Sequence, residues 1–154
     1  MMFMSDKFFV DTNILVYARD AGAGQKHVIA SALLAKLWRD RTARISVQVL
    51  NEYYVTVTRK LKPGMAPDEA WSDVEALKAW EPVPSDWKLL ESARVLHRLF
   101  ALSWWDALVV AAAQRAGCTA LYSEDLADGA DFGGVVVKNP FAFPGGQVVP
   151  LRSS

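Results

Sequence analysis

The chain has 154 residues, with 17 basic and 17 acidic side chains and a formal net charge of zero. That is the size of one domain, able to bury about 70% of the surface its unfolded chain exposes without a disulfide or a structural metal. A hydrophobic share of 52% against 22% charged excludes general disorder, and the zero balance excludes a uniformly basic coat for nucleic acid while leaving room for a local basic surface.

Lys7 precedes a short apolar run, Phe8-Phe9-Val10, which the turn-prone Asp11-Thr12-Asn13 ends. This reads as a buried strand with Asp11 at its carboxyl end. A helix is expected from Gln25 to Asp40, where Val28, Ala32, Leu33, Ala35 and Leu37 form an apolar face. Ala43 to Val47 is a second short strand or a lead-in to the next helix. Ser46 caps that helix, which runs through Leu61 and stops at Pro63-Gly64. Pro67 opens another helix to about Trp80, with Asp68 and Glu69 in its first turn, where the helix dipole favours anions.

Glu81-Pro82-Val83-Pro84 is extended, and Ser85 opens a helix through about Phe100. Ser103-Trp104-Trp105-Asp106 has the form of a capping box before the apolar helix Ala107–Ala116, which Gly117 ends. Cys118–Tyr122 and Val135–Val137 read as strands, and the Gly- and Pro-rich stretch from Pro144 as loop or tail. Strands alternating with helices imply an α/β layer fold with a mostly parallel sheet.

The charges are segregated. Lys26–Lys62 holds eight basic and two acidic residues, Gly64–Ala93 seven acidic and two basic, and Glu124–Asp131 four acids and no base. The longest apolar run, Ala107–Ala113, is far short of the roughly 20 residues of a membrane span. Met1–Val10 lacks the basic-then-apolar order of an export signal. The expectation is a cytoplasmic protein with no membrane partner.

In open parallel sheets, ligands bind at the carboxyl ends of the strands. Asp11 and the Ser123-Glu124-Asp125 cluster occupy such ends. Asp106 starts the apolar helix, and Glu52 lies in the helix begun by Ser46. Each acid alone has an ordinary reading: an Asx-turn for Asp11, a dipole cap for Asp106, a solvated face for Glu52 and a turn cap for Asp125. Together they suggest a converging oxygen-ligand pocket for a hard cation such as Mg²⁺ or Mn²⁺. Two carboxylates about 4 Å apart repel by roughly 4 kcal/mol at an effective dielectric near 20, and a divalent ion removes that penalty. Metal-assisted hydrolysis of a phosphodiester is the reaction class that fits.

Other chemistries find less in the chain. There is no dinucleotide-binding glycine loop, no Walker loop and no Gly-x-Ser-x-Gly elbow. With one cysteine, Cys118, there is no disulfide framework and no Cys-cluster zinc site, and His27 and His97 leave little for a His-based one. Cys118 reads as a small buried hydrophobe. His97 reads as a packing or solvated residue, and Trp38, Trp71 and Trp80 as core or interface residues.

Five segments, in order, resemble the PIN domain family, and most closely VapC-type toxins of bacterial toxin–antitoxin pairs. Phe9–Ala18 is similar to that family's opening strand and turn, and Val49–Tyr54 to its acidic helix. Leu102–Ala113 and Leu121–Leu126 are similar to its third and fourth motifs, and Val137–Phe141 to its chain end. The resemblance implies a three-layer PIN-like fold over residues 1–141, with 142–154 as a tail. It implies that Asp11, Glu52, Asp106 and Asp125 hold Mg²⁺ or Mn²⁺, that Ser123 helps place water or metal, and that Asn13 orients Asp11.

It further implies endoribonuclease activity leaving a 5′-phosphate and a 3′-hydroxyl, a cognate antitoxin protein as partner, and a homodimer. RNA would follow the basic segment, with Arg39, Arg41, Arg44, Arg59 and Lys60 as candidates. The Trp- and acid-rich region Gly64–Phe100 is expected in an antitoxin groove or a homodimer face. Two other readings stand on the residues alone: a phosphatase with Asp11 as nucleophile, and a non-catalytic PIN-like interaction module.

Overall fold

The computed structural model describes residues 6–143 and 147–148. Five strands make one sheet: β1 (Phe8–Val10), β2 (Ala43–Arg44), β3 (Ala120–Tyr122), β4 (Asp131–Phe132) and β5 (Val135–Lys138), in the order β2-β1-β3-β5-β4. β1, β2, β3 and β5 run parallel, and β4 pairs antiparallel with β5 at the edge. Six α-helices pack around this sheet: α1 (Thr12–Arg19), α2 (Gln25–Asp40), α3 (Val47–Val55), α4 (Pro67–Ala76), α5 (Trp87–Phe100) and α6 (Trp104–Arg115). This is the expected three-layer α/β arrangement with a mostly parallel sheet.

α6 is the central helix. Every residue from Ala107 to Ala113 is buried, because the helix packs on β3 and β5 and also against α5. A helix apolar all round is stable only in such a sandwich. Ser103 caps it as expected, its Oγ accepting the Asp106 N–H at 3.1 Å. The capping box is not completed: among the described residues no hydrogen bond returns from the Asp106 carboxylate to the Ser103 backbone. That carboxylate stays available to the surface next to it.

Two local expectations are corrected and one element is added. Asp11-Thr12-Asn13 does not merely turn; Asp11 is the N-cap of α1, its Oδ1 accepting the Thr12 N–H at 2.8 Å. The N-cap of α5 is Asp86, not Ser85, and its Oδ1 accepts the Leu89 N–H at 3.0 Å. Arg115, at the end of α6, grips both oxygens of the same carboxylate at 2.6 and 2.8 Å. A tertiary ion pair therefore selects between two adjacent capping residues. The edge strand β4 is an addition, turned into β5 by Gly133-Gly134 with φ of 64° and 96°. Two consecutive positive-φ glycines are the signature of a tight hairpin turn.

The tail expected from Pro144 lies mostly outside the described residues. Within them, Gln147–Val148 pairs antiparallel with Ala142–Phe143. No single helix among the described residues is long and apolar enough to cross a membrane.

Candidate active site

The site follows from the parallel register of β1 and β3. Val10 pairs with Tyr122, so the next residues, Asp11 and Ser123, leave the sheet side by side. Ser123 is fully buried, and its Oγ donates to Asp11 Oδ2 at 2.8 Å. The same oxygen accepts the Asp125 N–H at 3.1 Å, so one hydroxyl ties the first carboxylate to the last loop. Asn13, in the first turn of α1, donates from Nδ2 to Asp125 Oδ2 at 3.0 Å and accepts the Glu124 N–H on Oδ1 at 3.3 Å. Thr12 donates from Oγ1 to Glu52 Oε1 at 2.9 Å, which brings in α3.

These contacts tie three segments together around one open cleft of about 600 Å³, and α6 supplies a fourth part of its wall through Trp105, Asp106 and Val109. Asp11, Glu52, Asp106 and Asp125 all line it, and among the described residues Lys60 is the only Lys or Arg in its wall. All four acidic residues singled out in the sequence are therefore brought together. Ser123 stands behind them as a buried tether. Asn13, expected beside Asp11, is bonded instead to Asp125 and to the Glu124 backbone.

The neighbouring Glu124 is committed elsewhere: Tyr17 donates its hydroxyl to Glu124 and Lys26 pairs with its other oxygen. Lys26 also lies 5.1 Å from the Tyr17 ring centroid and 5.6 Å from that of Phe141. This cluster pins the Ser123–Asp125 loop to α1 and α2 and leaves Asp125 as the cleft-facing acid of the pair.

Asp11 is only 6% exposed, and burial pushes its carboxyl up to about 6. Hydrogen bonds from the Ser123 hydroxyl and the Thr12 N–H oppose that rise, and the charges of Asp125 and Glu52 add to it. Among the described residues, no three His, Cys, Asp or Glu side chains are close enough to cage an ion unaided. The donor set nevertheless suits a hydrated hard cation. Mg²⁺ keeps several waters and is held by one or two carboxylates plus substrate phosphate, not by an all-protein cage. Four acids facing one lysine also leave negative charge that such an ion would offset.

Of the basic residues expected to guide RNA, only Lys60 lines the cleft. Arg44 pairs with Glu81 at 3.0 Å and lines a separate cavity with Lys7 and Arg115. Arg39 and Arg41 sit where α2 turns into β2, at the amino end of that strand and away from the carboxyl ends that carry the site. Sequence reasoning gave no cleft role to Thr12, Gln48, Asn51, Thr56 or Trp105. The signal for most of them was the helical spacing of Gln48, Asn51, Glu52 and Thr56 along one face.

His27 and His97 do not enter the cleft. Each sets Nδ1 against a backbone carbonyl, that of Tyr17 at 2.9 Å and that of Leu102 at 2.6 Å. Cys118 is buried as expected, and burial pushes its thiol up to about 12, which makes it a poor nucleophile. Trp80 is core at 3% exposure with Trp38 tilted against it, while Trp71 remains 54% exposed.

The PIN domain family model matches residues 8–127. The chain belongs to the PIN domain family. Its matched span holds all four cleft carboxylates together with Ser123. Solved structures repeat this PIN fold at low identity. A toxin–antitoxin complex from Klebsiella pneumoniae is 22% identical, with a TM-score of 0.61 over 88% of this chain and 98% of that one. VapC20 of Mycobacterium tuberculosis, described as a Sarcin-Ricin loop cleaving toxin, is 24% identical, with a TM-score of 0.58 over 77% of this chain and 90% of that one. VapBC2 from Rickettsia felis, solved bound to a DNA fragment from its promoter, is 18% identical, with a TM-score of 0.60 over 86% of this chain and 97% of that one. No curated protein sequence matches the chain.

Proposed function

We propose that this PIN domain is a metal-dependent endoribonuclease that hydrolyses RNA phosphodiester bonds with water, as the toxin of a toxin–antitoxin pair. The observation that carries the reading is the meeting of Asp11, Glu52, Asp106 and Asp125, from four separate segments, around one cleft with a single lysine. The description of VapC20 as a Sarcin-Ricin loop cleaving toxin and the toxin–antitoxin complex from Klebsiella support the biological role by likeness of fold.

Mg²⁺ or Mn²⁺ is the cofactor in this reading, and Asp11, Asp106, Glu52 and Asp125 would hold it. When bound, the cation supplies Lewis-acid polarisation of the scissile phosphate. The chain supplies orientation and a proton acceptor. Ser123 and the Thr12 N–H hold the Asp11 carboxylate in one pose, Thr12 Oγ1 holds Glu52, and Asn13 holds Asp125. Water attacks phosphorus in line, and its proton passes to Glu52 or Asp125. The bond from phosphorus to the 3′ oxygen breaks, and the leaving oxygen takes a proton from solvent. The products are a 5′-phosphate and a 3′-hydroxyl.

The antitoxin partner has a candidate seat away from the cleft. A groove of about 410 Å³ is lined by Leu15, Ala18, Leu34, Trp38, Leu77 and the Arg19–Asp73 pair. Its α4 side, with Asp73 and Ala76, comes from the Gly64–Phe100 region expected in an antitoxin groove or a homodimer face. The decisive assay is cleavage of single-stranded RNA in Mg²⁺ with an EDTA control. Asp11→Asn and Asp106→Asn are expected to lose about a hundredfold or more in rate; wild-type rates in both would overturn the mechanism.

A further inference from the structure

The wall of the cleft carries more than carboxylates. Gln48, Asn51, Glu52, Val55, Thr56 and Lys60 all line it, so one face of α3 continues along the π-helical turn Thr56–Lys60. From α6 comes Trp105, the residue before Asp106. The two adjacent tryptophans have opposite fates. Trp104 packs on the core and stands edge-on to His97, with ring centroids 5.9 Å apart. Trp105 is 63% exposed and gives its surface to the cleft. A large aromatic left in water beside a reaction site is a platform for something flat.

The second observation concerns Gln48. Its Nε2 and Oε1 are both shut off from solvent, and neither has a hydrogen-bond partner. A native side-chain amide without partners is rare and calls for an explanation. An amide presents a donor and an acceptor side by side, which is the pattern that the edge of a nucleobase completes. Gln48 itself lines the cleft, so the unpartnered pair belongs to a residue of its wall.

We propose that this cleft takes one unpaired base of single-stranded RNA, with Trp105 stacking on its face and the Gln48 amide contacting its edge. The proposal rests on the ribonuclease reading and deepens it by naming the form of the substrate and what selects it. A cleft of about 600 Å³ lies in the range of ligand sites and has room for a splayed nucleotide. Unstacked bases on aromatic side chains, hydrogen-bonded along their edges, are the common mode of reading single-stranded RNA. Every base has a stacking face, so Trp105 sets affinity with little regard to sequence. Gln48 supplies the discrimination. Lys60, at the far end of the α3 stripe, meets a phosphate beyond the cut.

The test uses the full chain in Mg²⁺ on a randomised single-stranded oligoribonucleotide, alone and annealed to its complement. Trp105→Ala is expected to raise KM about tenfold with kcat within about twofold, and Trp105→Phe to recover most of that loss. Gln48→Ala is expected to flatten the base preference beside the cut while the duplex stays intact. An unchanged KM in Trp105→Ala, or an unchanged preference in Gln48→Ala, overturns the proposal. So does a Trp105→Ala protein whose mass in solution falls from dimer to monomer, since Trp105 then belongs to an interface between copies. A wild-type protein that cuts no RNA overturns the ribonuclease reading instead. Base stacking is read separately in the Asp11→Asn background, where the oligonucleotide quenches tryptophan emission and Trp105→Phe removes most of the quench. Absence of that quench sinks the stacking platform on its own.

Discussion

Asp11 holds three positions at once: it ends β1, caps α1 and faces the cleft. Burial pushes its carboxyl up to about 6, above its value in the unfolded chain. Between pH 4 and pH 6, roughly, the folded form therefore binds the extra proton. The Asp11 contribution to metal-free stability is fully present below that window and is lost as pH rises through it, by roughly 3 kcal/mol in all. Urea unfolding in EDTA from pH 4 to pH 8, compared between wild type and Asp11→Asn, is expected to show this fall only in the wild type. Mg²⁺ is expected to stabilise the wild type more at pH 8 than at pH 5, because only the ionised carboxylate gains from the cation. Asp125 and Glu124 make a second contrast at this scale. Asp125→Asn is expected to weaken the Mg²⁺-induced rise in melting temperature. Glu124→Gln keeps that rise and lowers the baseline, because its partners Lys26 and Tyr17 only fasten the loop. Adjacent acids in a sequence carry no mark of which one is taken up by such a cluster.

Helices show where local signals suffice and where they do not. α2 runs from Gln25 to Asp40 as its apolar face indicates, and α6 follows its serine cap and apolar run. Both are long or strongly patterned, so their own residues specify them. α1 has 8 residues, and its start reads equally well as a turn. It is settled by packing on α2 and α3, which a short helix needs in place of intrinsic stability. The start of α5 moved by one residue because Arg115 reaches Asp86 from the far end of α6, and the Arg115 guanidinium holds that carboxyl down to about 2. The end of α5 gives a prediction. Ala101 closes the helix at φ 53°, a left-handed conformation that costs a residue with a Cβ. Ala101→Gly is expected to raise stability by about 0.5–1 kcal/mol, read as a higher urea midpoint at unchanged slope.

At the scale of the whole molecule, Phe141 closes the core beyond the residues 8–127 that the PIN model matches. It is 3% exposed and meets the Tyr17 ring edge-on, with centroids 5.2 Å apart. A chain ending after residue 141 is expected to unfold at the same urea midpoint as the full chain. Phe141→Ala is expected to lose roughly 3–5 kcal/mol, because it opens a cavity under the Lys26 cluster. If the shortened chain unfolds as early as Phe141→Ala does, residues beyond Phe141 belong to the folding unit.

The sequence by itself determined the class of fold and the order of its main elements, and offered the four cleft acids as candidates. Those properties are local: hydrophobic period, caps, and acids at the ends of strands. The tertiary structure decided which acids meet and what surrounds them. The register of β1 on β3 sets Asp11 beside Ser123, and the turn of α3 brings Glu52 to Thr12. It also decided that Arg39, Arg41 and Arg44 lie away from the cleft while Lys60 and Trp105 line it. A sequence gives the periodicity of a side chain about its own axis, whereas the partner it faces depends on how separate elements pack, over separations of up to 112 residues in the Asp11–Ser123 bond.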